Sequence, residues 1–466
     1  MAKQQGGVDS IDAPLVASPK EYRRILMSSF IGSTVEFYDF LLYGTAAALV
    51  FGPLFFSDLS PSMALLASFA TFTVGYVARP IGGILFGHLG DRIGRKSSLV
   101  ITMAMMGIAS TAIGLVPTHA QIGSWAAVIL LILRIVQGLA VGGEWGGAAL
   151  MALEHAPQKQ RGFAASVANM GGPAGAMLAT LVFAGFALLP EEQFMSWGWR
   201  VPFLLSAVLV LVALFIRLRI SESPLFLAAQ AKANATKAKT QAPVMVILTK
   251  YRAQVAIAAL GGVAAFVYSS FMATFAISIA REMGTGSTAV LLCKAGAAFV
   301  HIFTIAYFAR LSDRIGRRKV MLAGCALSLV LAFPLIWLLS SGVTALVLLA
   351  FLIGNPLIQG SMYGPLAAYI AERFSTSSRY TGAGLTYQIS TVLASFTPII
   401  SSAVWVLGQD HLSSEGAAQY SFVAGYLIVA TLISLVAIAM SRDTLNRNLD
   451  EADSRGLATD ATPHGR

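Results

Sequence analysis

Two carboxylates and a phenol share one short stretch, Glu36-Phe-Tyr-Asp-Phe-Leu-Leu-Tyr43. Glu36, Asp39 and Tyr43 are spaced by three and four residues, so a helix places all three on one face. Acids so placed suit reversible proton exchange, and Tyr43 can donate a hydrogen bond to a third carboxylate. The alternative is a structural acid pair held by an arginine from another helix. Arg134 opens Arg-Ile-Val-Gln-Gly138, with Gln137 on its face. Its planar fork suits a carboxylate, either of a ligand or of the Glu36 helix. Lys294 and His301 are seven apart, about 20° around a helix. A cation and an imidazole on one face suit an anion. Against that, Lys294 can reach outward along its stem and His301 can be packed core.

Further residues carry less. Gly142-Gly-Glu-Trp-Gly-Gly147 is dense in glycine, which reads as close helix packing, with Glu144 a stranded charge and Trp145 a wall residue. Arg79 precedes Pro80 and reads as structural, pairing with Glu144 or a backbone end. Asn355, Gln359, Tyr363, Tyr387 and Gln388 are additional polar candidates.

The elements that hold these groups follow from composition. The chain has 466 residues, 56% hydrophobic and 12% charged, against about 25% charged in soluble domains. Apolar runs recur near 25–51, 63–87, 98–117, 124–150, 163–189, 201–219, 253–280, 289–309, 320–340, 344–370, 380–407 and 420–441. Runs of this length fit helices crossing a hydrocarbon layer of roughly 30 Å, and lipid requires a helix to satisfy its own backbone. Strand alternation is absent. An ionised group inside such a span costs roughly 2.5–3.5 kcal/mol on insertion scales, so Glu36, Asp39, Arg134, Lys294 and His301 are functional candidates.

The net charge of +10 is topological. Of 32 lysines and arginines, all but Arg79, Arg134, Arg200, Arg281 and Lys294 fall in segments on one side of the spans. The basic side is the cytoplasmic one, which puts both termini there and excludes a nucleic-acid footprint. No signal-peptide pattern precedes the first span. Cys293 and Cys325 lie within spans and read as packing, with no metal-ligand spacing near them.

The second and eighth spans end in near copies, Gly87-His-Leu-Gly-Asp-Arg-Ile-Gly-Arg-Lys96 and Ala309-Arg-Leu-Ser-Asp-Arg-Ile-Gly-Arg-Arg318. Asp91 maps to Asp313, Arg92 to Arg314, Gly94 to Gly316 and Arg95 to Arg317. Gly87 and Gly90 permit close helix approach. Asp91 can accept from a helix N-terminus or an arginine. The pair reads as a reversible latch in a short loop. The repeat predicts an all-α membrane protein of 12 transmembrane helices in two pseudo-symmetric six-helix bundles. The divisions are a cytoplasmic N-terminus 1–24, a bundle 25–219, a linker 220–252, a bundle 253–441 and a tail 442–466. A nucleotide P-loop is excluded, because Arg95 stands where that motif needs Gly before Lys.

On these stretches, with Ala78-Arg-Pro-Ile-Gly-Gly83, Ser196-Trp-Gly-Trp-Arg-Val-Pro-Phe203 and Glu222-Ser-Pro224, the chain resembles the major facilitator superfamily and, within it, the metabolite:proton symporters. The resemblance implies a transporter without cofactor or enzymatic activity, working by alternating access in the cell's inner or plasma membrane. It also places Arg134 beside the pathway. Gly171-Gly-Pro-Ala-Gly175 resembles only in part the motif of proton antiporters, since Ala168, Ala176 and Met177 stand where glycines belong; that favours symport. The expected activity is proton-coupled import of a small carboxylated metabolite such as shikimate, by a monomer whose partners are the metabolite, protons and the bilayer. Alternatives are a proline or betaine symporter, against which the short tail without heptads counts, or an effluxer.

Overall fold

The computed structural model describes residues 19–93, 95–142, 152–153, 156, 160–218, 247, 249–374, 379–411 and 421–443. Long apolar runs become long helices. They are α1 (Pro19–Ala46), α2 (Pro61–Ile93), α3 (Arg95–Leu115), α4 (Trp125–Gly142), α5 (Arg161–Phe186) and α6 (Val201–Leu218). The second set is α7 (Arg252–Ala273), α8 (Ser287–Ile315), α9 (Arg317–Leu339), α10 (Thr344–Leu352, continuing to Ala371), α11 (Arg379–Ser395) and α12 (Ser421–Met440). Among the described residues, eleven helical stretches are long and apolar enough to cross a membrane, and Val100–Leu115 is a shorter one. Ile108, Leu211, Phe303 and Val330 point outward and are exposed, a surface suited to lipid.

Four of the described helices depart from simple rods; α7 resumes after Thr274 as Phe275–Glu282. α1 runs into the wide π-turn Ala47–Phe51. α10 contains the π-segment Ile353–Gln359 around Pro356, where the wider turn accommodates the missing N–H. α11 resumes after Phe396 as Thr397–His411.

Within the first six helices, α1 packs on α5, α2 on α4 and α3 on α6; within the second six, α7 packs on α11 and α12, and α8 on α10. The two sets meet along α5 against α8 and α2 against α11. Glycines set the closest crossing. A Cβ on Gly82 would strike the Leu139 carbonyl, one on Gly138 the Gly75 carbonyl, and one on Gly142 the Arg79 carbonyl. So α2 and α4 touch backbone to backbone. Likewise Gly171 and Gly175 bring α5 against Ser33 and Thr34 of α1.

The charged repeats are not loops. α2 stays helical through Ile93 and α8 through Ile315. The second repeat breaks only at Gly316, whose φ of 105° is a conformation that side chains with a Cβ avoid. The helix therefore carries Asp313 on its last turn instead of on a connecting loop. In the first repeat the helical backbone is described on both sides of position 94; Gly94 and the side chains at Gly87, Gly90, Asp91, Arg92 and Arg95 lie outside the described residues. So do Glu144, Trp145, residues 1–18, 444–466 and most of 220–252.

Candidate functional site

A central cavity with about 690 Å³ of atom-free space, continuous with solvent, lies between the two sets of helices. α1, α2 and α5 form one wall; α7, α8, α10 and α11 form the other. The seven-residue spacing on α8 delivers Lys294 and His301 to it together. The Lys294 ammonium donates to Thr45 Oγ1 at 3.0 Å, across the two halves, and to the Ala273 carbonyl at 3.4 Å. Among the described residues no carboxylate pairs with it. Among the described residues His301 Nε2 is buried without a hydrogen-bond partner. The π-segment of α10 adds Asn355 and Gln359 to the lining, joined by a 2.6 Å hydrogen bond from Asn355 Nδ2 to Gln359 Oε1. Tyr363 and Tyr387 also line the cavity, with hydroxyls 3.2 Å apart. Gln388 instead donates to the Gly142 carbonyl at 3.3 Å, tying α11 to α4.

The acids of α1 lie behind this wall. Glu36 is buried, within electrostatic reach of Tyr363 and Tyr387. Asp39 is fully buried. Ser110 and Ser206 stand beside its carboxyl, yet neither oxygen accepts a hydrogen bond from the described residues. Arg134, Gln137 and Tyr43 are buried too, but not in the cavity lining. Among the described residues no carboxylate pairs with Arg134, which leaves a ligand carboxylate as the other partner that the sequence offered. Its guanidinium lies over the Phe40 and Tyr43 rings, at 3.8 and 4.2 Å from their centroids. It fits there because Gly75 has no Cβ to fill the space. It donates to Gln137 Oε1 at 2.9 Å, and Gln137 Nε2 donates to Ser110 Oγ at 2.7 Å. Arg134, Gln137 and Ser110 thus form a chain that ends beside Asp39. Tyr43 donates to Thr71 Oγ1 at 2.7 Å, which occupies the hydroxyl expected to meet a ligand.

The sequence reads Arg79 as structural, with Glu144 or a backbone end as its partner, and Glu144 lies outside the described residues. Arg79 is 2% exposed, lines the cavity, and stacks over Phe40 and Tyr76 at 3.9 and 4.4 Å. The repeat itself held the signal: the offset that carries Asp91 to Asp313 also carries Arg79 to His301.

At the basic end the halves are joined by Asp313. Its two carboxylate oxygens accept from the Gly162 and Phe163 amides, each at 3.0 Å. These are first-turn amides of α5, where the helix dipole favours an anion. Arg317 pairs with Asp313 at 2.6 Å and with Glu372 at 3.1 Å. Arg310 lies over the Phe163 ring at 4.0 Å. Arg314 is exposed.

The Major Facilitator Superfamily family model matches residues 29–398. The shikimate transporter of Escherichia coli (strain K12) is 38% identical over 91% of this chain and 95% of its own length. A proline/betaine transporter of the same organism is 30% identical over 92% and 85%. Among solved structures, the proton:xylose symporter XylE bound to 6-bromo-6-deoxy-D-glucose aligns with a TM-score of 0.70, at 17% identity, over 94% of this chain and 99% of its own; that likeness speaks to the fold.

Proposed function

The chain belongs to the Major Facilitator Superfamily and is a transporter, and from that premise we propose that it imports a small carboxylated metabolite together with protons. The observation that carries this reading is Lys294. It is a buried ammonium in the cavity wall whose partners are a hydroxyl and a carbonyl, and a buried cation without an anion is costly. A substrate carboxylate is the missing partner. The relative that transports shikimate supports a hydroxylated carboxylate of that class.

Asp39 is the proposed proton site, with Glu36 as a second. Among the described residues Asp39 has no cation partner and accepts no hydrogen bond, with the Ser110 and Ser206 hydroxyls beside it. The Arg134–Gln137–Ser110 chain supplies a means for α4 to present a cation to it as the bundles rock. Asp313 on the α5 amides is the proposed latch of the basic end, which we assign to the cytoplasm, and the copy at Asp91 is proposed to act alike.

The driving force can be sized. One charge crossing 100 mV is worth about 2.3 kcal/mol, and one pH unit about 1.4 kcal/mol. A monoanion entering with one proton moves no net charge, so it accumulates about tenfold per pH unit. Stronger accumulation needs a second proton, and Glu36 is the second carboxyl.

A second reading, a zwitterionic osmolyte, is favoured by one feature. Phe37, Tyr76, Phe266, Tyr363 and Tyr387 give the cavity an aromatic lining that suits a quaternary ammonium. Proteoliposomes under an imposed pH gradient decide between them. Uptake of labelled shikimate or related carboxylates, with betaine unable to compete, supports the first reading. Betaine uptake without carboxylate uptake refutes it.

A further inference from the structure

The two halves are copies, and the copy relation places Arg79 opposite His301. Each stands twelve positions before the aspartate of its charged repeat. α2 is helical from Arg79 to Asp91, and α8 from His301 to Asp313. Twelve residues rise about 18 Å, so both side chains leave equivalent helices at the same height. Both line the cavity, from opposite halves. Arg79 is 2% exposed and His301 3%.

Both also have unused nitrogen. Among the described residues, Arg79 Nε and Nη2 and His301 Nε2 are buried without hydrogen-bond partners. Among the described residues, Arg79 pairs with no carboxylate. The face of its guanidinium is occupied by the Phe40 and Tyr76 rings. Stacking uses the face and leaves the in-plane N–H edge, which is the part that matches a carboxylate. An immobilised, charged fork at a cavity wall with empty donor positions is a built anion site.

We propose that Arg79 binds the substrate's carboxylate from the first half while His301 takes a hydroxyl of the same molecule from the second. This rests on the carboxylate-import reading above and deepens it: the substrate is a hydroxylated carboxylate long enough to bridge the halves at this level. Lys294 lies seven residues nearer the opposite end of α8, about 10 Å along the axis. The two cations therefore serve successive positions of one carboxylate during passage. Bridging at the Arg79–His301 level is what draws the halves together around the molecule.

The test uses the full-length chain in detergent and measures binding by calorimetry. Shikimate and other hydroxylated monocarboxylates are compared with their methyl esters, which keep the hydroxyls and lose the charge. The wild type should prefer the acid. In Arg79→Gln the acid should weaken roughly 10- to 150-fold, the range for one charge-assisted hydrogen bond, to the level of the ester, with ester binding unchanged. Arg79→Lys keeps the charge without the fork and should show the same loss of preference in smaller measure. It also covers the case in which the glutamine variant does not fold. An acid preference as strong in both variants as in the wild type overturns the proposal, as does an equal loss of acid and ester, which marks a packing role. A wild type that binds none of the acids overturns the import reading itself, and this proposal with it.

Discussion

Replacing Asp313 with asparagine is expected to open the basic end of the molecule. The aspartate accepts two backbone amides at 3.0 Å each and an arginine at 2.6 Å. Hydrogen bonds to a charged group contribute about 1.5–3 kcal/mol each. Asparagine keeps one carbonyl oxygen, so it satisfies one amide and turns an NH2 toward the other. Its ion pair with Arg317 is lost, while Arg317 keeps Glu372. The net weakening of the junction is about 2–4 kcal/mol, a shift of about 30- to 900-fold in the equilibrium between joined and separated ends. The Arg317–Glu372 pair stays within the second half, so the fold itself should melt within a few degrees of wild type. Spin labels at the exposed positions Gln160 and Lys319 report the separation across the junction by pulsed electron resonance. The expected result is a new, longer distance population, with uptake slowed at least tenfold because closure has become unfavourable. A distance distribution and an uptake rate both equal to wild type would refute the reasoning.

Three other outcomes are expected. Lys294→Gln should weaken binding of a carboxylated substrate by about 2 kcal/mol or more, the scale of a lost charge-assisted contact, measurable by thermal shift with shikimate; unchanged binding would remove Lys294 from recognition. Asp39→Asn should abolish accumulation driven by a pH gradient while leaving substrate exchange across the membrane intact, and retained gradient-driven accumulation would move the proton site elsewhere. Gly138→Val should force α2 from α4, because even a Cβ there strikes the Gly75 carbonyl; overpacking of this kind costs about 1–3 kcal/mol and should lower the melting temperature.

The helices were legible because eleven of them, among the described residues, carry an apolar run long enough to need no other signal, and the duplicated Asp-Arg-Ile-Gly-Arg made the two-bundle plan legible as well. What misled was the glycine content of the first repeat, which suggested a loop. The helix runs through Gly87 and Gly90 to Ile93, since glycine weakens a helix only modestly once neighbouring helices hold it. The π-segment of α10 left no periodic trace; Pro356 marked it only in retrospect. Lys294 and His301 reached the cavity as their spacing implied. Arg134 lies over two rings and donates to a glutamine in place of the α1 acids, a placement that depends on Gly75 of another helix. From its place before Pro80, Arg79 reads as structural, with Glu144 or a backbone end as its partner; Glu144 lies outside the described residues, and comparison with the other half adds the correspondence to His301.

Asp313 closes on main-chain amides, and this bears on how the molecule tolerates change. Every residue but proline brings the same N–H, so the receiving side of the junction is nearly blind to mutation, and drift in the opening turn of α5 leaves it intact. Position 162 is the exception, since a Cβ there would lie 2.6 Å from Asp313 Oδ1. One half of the lock is thus written in side chains and can be lost by a single substitution, whereas the other is written in the backbone and is guarded at one glycine.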